Sequence, residues 1–350
     1  MSPARGLLTR FDLRTPIVVA PMGGATSPSM VVAACEAGAL GSLAGAYLSP
    51  AALAGQLREV QAGTRRPFAV NLFVPGPARA TPADLERARR ELAPWRERLG
   101  LPDGPPLAPP VFADQVEELF AARPAAFSFC FGLPPPAVLE RCRALGIATL
   151  GTATSADEAL LLERAGVDFI CVQGPEAGGH RGTFDPAQEP PAEPLLALLP
   201  RVATAVRTEL VAAGGLMDGA AIAQVLRLGA VAAQLGTAFL RTPESIAPKV
   251  HQEAVARAAE TATGADATAV TRAFSGRPAR GIANRFMREV RSPAPFPAQN
   301  GLTREIRTAA VARGDPDAYS SWAGTGAARS RALPTRELIQ LLTDELDRAR

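Results

Sequence analysis

The chain has 350 residues, long for an average single domain; 47% are hydrophobic but only 5% aromatic, so Ala, Leu and Val must fill most of its core. Its 37 basic and 34 acidic side chains nearly balance, giving a net charge of +3, and no run of like charge stands out. This mixture is typical of a solvated surface and argues against nucleic-acid or membrane binding.

Short apolar runs alternate with longer stretches of helical composition over the first 240 residues. Most of the runs are continuously apolar, as expected of strands buried on both faces. The predicted strands are Ile17–Ala20, Leu40–Leu43, Phe68–Asn71, Ala126–Phe129, Ile147–Leu150, Phe169–Val172, Glu209–Ala212 and Ala230–Leu235. The predicted helices between them include Ser29–Ala37, Pro50–Ala62, Pro135–Leu145, Ser155–Ala165 and Gly219–Leu228.

Four of these helices end in similar phrases, EAGAL, RALGIA, ERAGVD and LRLGAV, which indicate a helix, a glycine cap and then a strand. Repeated strand–helix units imply a parallel sheet, and eight of them imply closure into an α/β fold of the (β/α)8 TIM-barrel type. An open doubly wound sheet is the alternative, but no GxGxxG follows the first strand.

Two regions interrupt this rhythm. A proline-rich, partly charged segment at 75–110 predicts an insertion after the third strand, partly helical and partly extended. After Phe239 the strand–helix pattern stops. We therefore expect a TIM-barrel domain over residues 1–240 and a mostly helical cap over 241–350 that completes the barrel and covers its mouth.

The stretch GPEAGGHRG, residues 174–182, follows the sixth strand and holds His180, one of only two histidines in the chain. The flanking glycines permit an unusual backbone path, and active sites of this fold lie after the strands. Histidine titrates near neutrality and suits general-base work. His180 is therefore the predicted catalytic residue, whereas His251 lies in a helical context where we expect it to be exposed.

Other strand ends suggest a ligand site. Pro21, Met22 and Gly23 follow the first strand, where glycine allows a flat ligand to approach, although a plain turn explains them equally well. Asn71 ends the third strand and is either a cap or a hydrogen-bonding group for a heterocycle. Gly214-Gly215 and Gly236-Thr237 follow the last two strands, the usual phosphate position of such barrels, which indicates a phosphorylated cofactor or substrate.

The four cysteines contain no CxxC pair, and their spacing predicts neither a disulfide framework nor a metal site. No apolar run is long enough to span a membrane, and the N-terminal residues lack the apolar core of a signal peptide. We expect reduced cysteines, no metal and a cytoplasmic protein.

Five segments together resemble the nitronate monooxygenases, formerly called 2-nitropropane dioxygenases, and the class I branch in particular. They are APMGGATSPSMVVAACEAGALGSLAGAYLSP, PFAVNLFVP, CVQGPEAGGHRGTF, AAGGLMDGAAIAQVLRLGAVAAQLGTAFLRTPES and SGRPARGIANRF, and the similarity as a whole runs from about Pro16 to Trp322. The resemblance implies a barrel that uses FMN and O2 to oxidise alkyl nitronates to a carbonyl compound and nitrite, by single-electron transfer to the flavin and without NAD(P)H. Propionate 3-nitronate is the implied substrate.

By the same resemblance, His180 is the base for a neutral nitroalkane. Flavin-ring contacts are implied for Pro21, Met22 and Gly23, with Gly178 and Gly179 in the flavin-side loop. Asn71 and Gln173 would bond polar atoms of the isoalloxazine or ribityl chain. The ribityl phosphate would be held by Gly215, Gln234, Gly236 and Thr237.

Some points stay open. Thr325 stands in WAGTGAARSR where the family suggests glutamine, which leaves the substrate-side loop at 319–329 uncertain. Arg277 and Arg280 either attract a carboxylate-bearing nitronate or are surface residues, and Glu176 either orients its loop or is solvated. An FMN-dependent NAD(P)H reductase of the same superfamily, acting on enoyl-acyl-carrier protein or quinones, is the alternative function. The oligomeric state is not predicted.

Overall fold

The computed structural model describes residues 6–76, 80–261 and 267–350. Eight parallel strands close into a barrel in the order β1-β2-β3-β4-β5-β6-β8-β9. These strands are β1 (Ile17–Val19), β2 (Leu40–Ala44), β3 (Phe68–Phe73), β4 (Ala126–Cys130), β5 (Ala148–Ala153), β6 (Phe169–Gln173), β8 (Glu209–Ala213) and β9 (Ala230–Leu235). Each overlaps one predicted strand, so the (β/α)8 prediction is confirmed.

The barrel strands bury both faces. Ile17 and Val19 face the helices in the larger hydrophobic cluster, whereas Val18 belongs to a smaller cluster inside the barrel. Small residues such as Ala69 and Ala148 help to fill that interior, as the alanine-rich composition requires. Helix α1 (Leu7–Arg10) adds Leu7 to the same inner cluster, and the backbone N–H of Leu7 donates to Glu209 at 2.7 Å.

Seven helices flank the barrel between successive strands: α2 (Pro28–Glu36), α3 (Pro50–Gly63), α5 (Phe112–Ala122), α6 (Pro136–Leu145), α7 (Ala156–Arg164), α8 (Leu195–Ala205) and α9 (Gly219–Arg227). Side chains of Ser27, Ser49, Ser155 and Asp218 cap four of their N-termini by accepting backbone N–H bonds. The predicted glycine stops all have positive φ, which favours glycine, and they are Gly38, Gly146, Gly166 and Gly229.

The eighth helix of the ring comes from far along the chain. Helix α14 (Thr335–Ala349) packs against α9 on one side and α2 on the other. It is amphipathic, and Leu338, Ile339, Leu342 and Leu346 are buried toward the barrel. The hydroxyl of Thr343 lies 3.0 Å from that of Thr15, which joins this helix to the segment before β1.

The segment between β3 and α5 contains α4 (Pro82–Arg98) followed by an irregular stretch, and residues 77–79 of the predicted insertion lie outside the described ranges. A capping box of Thr81 and Asp84 starts α4. Its buried Trp95 packs on Phe286, with ring centroids 5.0 Å apart, so the insertion is joined to the C-terminal tail.

The tail after β9 contains several helices. It also contains two strands that the sequence did not predict. Its elements are α10 (Lys249–Thr261), β10 (Thr268–Thr271), β11 (Ala279–Ile282), α11 (Arg285–Glu289), α12 (Ala298–Leu302), α13 (Arg304–Arg313) and α14. Strands β10 and β11 form an antiparallel pair that continues into the two-residue strand β7 (Gly179–His180). Within the described residues, no helix has the length and apolarity needed to cross a membrane.

Candidate functional site

The carboxyl ends of the barrel strands and the tail enclose one elongated cavity. The cavity volume is about 190 Å³. Because a single water needs about 10–15 Å³ on the same scale, the cavity can hold a ligand much larger than water. All twelve residues singled out in the sequence line it, namely Pro21, Met22, Gly23, Asn71, Gln173, Gly178, Gly179, His180, Gly215, Gln234, Gly236 and Thr237. The structure thus brings them together, and their individual roles remain proposals.

The loop of residues 174–182 is fastened at its acidic residue. The carboxylate of Glu176 accepts two bonds, at 3.1 and 3.2 Å, from the backbone N–H of Leu195, the first residue of α8. The backbone carbonyl of Glu176 accepts from the N–H of Thr325 at 3.0 Å. Glu176 therefore orients its loop, and Thr325 contributes its backbone to that fastening instead of lining the cavity.

A buried arginine holds the same loop from beneath. Arg181 is 1% exposed, and its Nη1 donates to the carbonyl and the side-chain oxygen of Gln173, both at 3.1 Å, and to the carbonyl of Gly174. The Gln173 amide in turn donates to the carbonyl of His180 at 3.0 Å and accepts from Gly182 N–H at 2.9 Å. Most of the hydrogen bonds of the Gln173 side chain therefore serve to position His180.

The tail fixes the other side of the histidine backbone. In β7, His180 pairs with Ala279 of β11 and Gly179 pairs with Arg280. The guanidinium of Arg280 donates to the carbonyl of Pro175 at 2.7 Å and to the hydroxyl of Thr268 at 3.1 Å. Arg280 is thus half-buried and helps to hold this loop, and its attraction of a carboxylate-bearing nitronate stays a prediction.

The imidazole of His180 lies against aromatic rings at one end of the cavity. Its centroid is 5.7 Å from Trp322, 5.8 Å from Phe131, 5.9 Å from Phe73 and 6.1 Å from Phe296. Its Nε2 atom is buried and has no hydrogen-bond partner among the described residues. Burial first, and then the charges of Arg277 and Arg307, lower the pKa of His180 to about 3, so its imidazole is uncharged at neutral pH.

Arg277 contradicts one of the two expectations stated for it, that of a surface residue, and its attraction of a carboxylate-bearing nitronate stays a prediction. It is 2% exposed, so it is not a surface residue, and it does not line the cavity. Its guanidinium carbon lies 3.7 Å from the centre of the Phe131 ring, and its Nη2 donates to the Thr183 carbonyl. Burial lowers its pKa to about 10, which leaves it charged at neutral pH.

The turns after β8 and β9 add polar groups suited to an anion to the cavity lining. Gly214 and Gly215 have φ of 129° and 69° in the turn after β8, where a side chain would be strained. The hydroxyl of Thr237 accepts from Gly324 N–H at 2.9 Å. The N-terminus of α9 could also attract an anion, but it is already capped by Asp218, whose side chain accepts from Ala221 N–H at 2.8 Å.

The second histidine was placed wrongly by sequence reasoning. His251 is 5% exposed, lines the cavity and lies 2.9 Å through Nε2 from the Trp322 carbonyl. Burial lowers its pKa to about 4, so it too is neutral. The apolar residues three and four positions on, Ala254 and Val255, are buried and were the signal that this face of α10 points inward.

Several cavity residues were missed by the sequence analysis: three belong to barrel strands β3, β4 and β5, one follows β2, and one belongs to the tail. Tyr47, Phe73, Ser128, Thr152 and Trp322 all line the site. Ser128 Oγ accepts from the Asn71 amide at 3.0 Å, which fixes the orientation of Asn71. The four cysteines, all within the described ranges, are unpaired, and no cluster of three or more His, Cys, Asp or Glu side chains there could hold a metal.

Comparison with known proteins gives a consistent picture. The sequence profile described as "Nitronate monooxygenase" matches residues 5–345. A nitronate monooxygenase of Pseudomonas aeruginosa is 41% identical over 96% of this chain and 97% of its own. The solved structure of a nitroalkane oxidase from Streptomyces ansochromogenes has a TM-score of 0.91 and 39% identity over 99% of each chain. FabK from Thermotoga maritima, at 23% identity and a TM-score of 0.73 over 98% and 96% of the two chains, shares the fold.

Proposed function

The chain belongs to the nitronate monooxygenase family, and from that premise we propose that it uses FMN and O2 to oxidise alkyl nitronates to a carbonyl compound and nitrite. The observation that carries the proposal is the neutral His180, whose buried Nε2 has no partner among the described residues and which shares one cavity with the glycine turn after β8. That the protein is an enzyme acting on nitronates follows from its membership of the family.

The residues present fit FMN. Two left-handed glycines, Gly214 and Gly215, and the hydroxyl of Thr237 offer a cradle for a phosphate. A Cβ added at Gly236 would lie 3.4 Å from Cβ of Ala20 and 3.5 Å from the sulfur of Met22, so this glycine packs against the turn after β1. Asn71 and Gln234 supply amide groups in the cavity lining. Pro21, Met22 and Gly23 supply a wall for a flat ring.

When bound, FMN would supply the electron acceptor for the nitronate and the group that reacts with O2. The chain's own contribution centres on His180. With a neutral nitroalkane, Nε2 would take the proton from the carbon next to the nitro group, and the C–H electron pair would pass into that group to give the nitronate. With a nitronate already formed, no proton has to move, and the imidazole would orient the anion.

Propionate 3-nitronate is the substrate we propose among nitronates. It carries two negative charges, and the buried guanidinium groups of Arg277 and Arg307 both act electrostatically at His180. Their positive potential favours an anion at this end of the cavity. The surrounding aromatic rings exclude water and strengthen that attraction.

The first test compares reductants under anaerobic conditions. The purified protein is checked for bound FMN and mixed without oxygen with propionate 3-nitronate in one cuvette and with NADH or NADPH in another. A change in flavin absorbance with the nitronate alone is expected. Rapid bleaching by a nicotinamide nucleotide would make the protein a reductase instead and would overturn the proposal.

The second test addresses His180. The substitution His180→Asn is expected to retain the flavin and to abolish turnover of a neutral nitroalkane, while turnover of the matching nitronate persists. His251→Asn is the control, because it removes the other cavity histidine but leaves Nε2 of His180 in place. Undiminished nitroalkane turnover in His180→Asn would refute the assignment of the base.

A further inference from the structure

Arg277 lies behind His180, separated from it by one aromatic ring. The guanidinium carbon is 3.7 Å from the centre of the Phe131 ring, and that centre is 5.8 Å from the centre of the imidazole. Phe131 is 3% exposed and packs against Phe73 as well, with centroids 4.5 Å apart. The charge of Arg277 is therefore held within about 10 Å of the imidazole, a distance at which buried charges still interact.

The backbone at this ring is strained. Phe131 has φ of 78°, a left-handed conformation that a bulky residue rarely adopts. Its N–H points at the Gly182 carbonyl at 3.4 Å, so the strained residue also touches the loop that carries His180. Strain of this kind persists where the surroundings determine the conformation, and it is concentrated at functional sites.

Arg277 itself is built into this position. Its Nη2 donates to the Thr183 carbonyl, its backbone N–H donates to Ser275 at 3.2 Å, and its Nε has no hydrogen-bond partner among the described residues. A buried cation is costly, so one kept beside a catalytic histidine calls for a reason beyond packing.

We propose that Arg277 is a specificity-determining positioning residue, which acts through the Phe131 ring to disfavour protonation of His180 and so biases the enzyme toward preformed nitronate anions and against neutral nitroalkanes. The proposal rests on the proposed function. A neutral nitroalkane needs His180 to gain a proton, which a nearby cation opposes, whereas an anion gains from that cation. Arg277 would thus separate two substrates that differ by one proton.

The other titratable groups around the imidazole do not replace this effect. Burial raises the pKa of Tyr47 and of Cys130 to about 12, and lowers that of His251 to about 4, so these three cavity side chains are uncharged at neutral pH. Arg307 on α13 is the second cation that acts on His180. Arg181 and Glu176 belong to the loop of His180 itself and are bonded within it or to α8. Arg280 on β11, which pairs with Gly179, donates to the carbonyl of Pro175 and the hydroxyl of Thr268.

The test is histidine NMR on the flavin-loaded full-length protein, which is simplified by a chain with only two histidines. In Arg277→Met the proton affinity of His180 should rise about tenfold, the effect of one charge at this distance. Arg277→Lys keeps the charge, so His180 should titrate as in the wild type. His251→Asn assigns the two signals, and Arg277→Gln, which keeps a donor for Thr183, replaces Arg277→Met if that variant does not fold.

The kinetic arm uses nitroethane and ethyl nitronate, a conjugate pair. The ratio of kcat/KM for nitroethane to that for ethyl nitronate should rise by up to about tenfold in Arg277→Met and stay unchanged in Arg277→Lys. An unchanged His180 titration in Arg277→Met, or the same shift in both variants, would overturn the proposal. If the wild-type enzyme oxidises neither compound and no propionate 3-nitronate, the proposed function fails, and the titration still decides whether Arg277 acts on His180.

Discussion

The backbone of the His180 loop lies close to the backbone of the tail at Gly178. A Cβ added there would lie 2.5 Å from Gly324 N and 2.6 Å from the carbonyl carbon of Ala323, both backbone atoms. Ordinary contact begins near 3.4 Å, so Gly178→Ala would force one of the two backbones to move by roughly 0.9 Å. Overpacking of this kind costs about 1–3 kcal/mol.

Two other glycines calibrate the effect. Gly24 has φ of 77° with nothing within 4 Å of an added Cβ, so Gly24→Ala pays only for backbone strain, about 1–2 kcal/mol. Gly55 lies in α3 with open space beside it, and Gly55→Ala should stabilise the helix by about 0.5–1 kcal/mol. Stability therefore falls in the first two variants and rises in the third.

Thermal unfolding gives the ranking, and fluorotryptophan NMR gives the location. The chain has two tryptophans, Trp95 and Trp322, and Trp322 is the residue directly before Ala323. Gly178→Ala should shift the Trp322 signal and leave the Trp95 signal in place. Gly24→Ala should not produce this pattern. A Gly178→Ala protein with wild-type stability and an unmoved Trp322 signal would refute the contact argument.

Two further predictions follow from single side chains. His251 has a folded pKa of about 4 against an ordinary 6.5, so the unfolded chain binds the extra proton first and the protein loses stability as the pH falls from about 6.5 to about 4. His251→Gln should remove on the order of 3 kcal/mol of that loss, measured by urea unfolding across this pH range. Equal acid sensitivity of the two proteins would contradict this prediction. Thr237→Val should weaken FMN binding about tenfold in a fluorescence titration by removing a hydroxyl at the proposed phosphate cradle, and an unchanged Kd would remove Thr237 from that cradle.

The barrel could be predicted because its signals are local. Continuous apolar runs marked the strands, and Gly38, Gly146, Gly166 and Gly229 marked the helix ends. Once the strands are ordered in a barrel, geometry brings their carboxyl ends together, which is why twelve residues spread from Pro21 to Thr237 line one cavity. Their roles, the cytoplasmic location and the absence of nucleic-acid partners stay predictions.

The rest depends on contacts between distant parts of the chain. The pairing of Gly179–His180 with β11 involves a glycine and only two residues, too short for a periodic pattern, and it spans about 100 positions. Arg277 and Arg181 are buried by tertiary packing that composition does not reveal, since arginine is usually exposed. His251 could have been recognised from the apolar face of its helix, but its contact with Trp322 could not.

The origin of α14 has a consequence for synthesis on the ribosome. All eight barrel strands have been made once β9 emerges, yet the gap between α9 and α2 stays open until the entire tail that covers the site has been made. The buried leucines of α14 then cover apolar surface that no earlier helix protects. The nascent barrel is thus exposed to aggregation or to chaperone binding at that seam, and the site and its cover are complete before the outer wall is sealed.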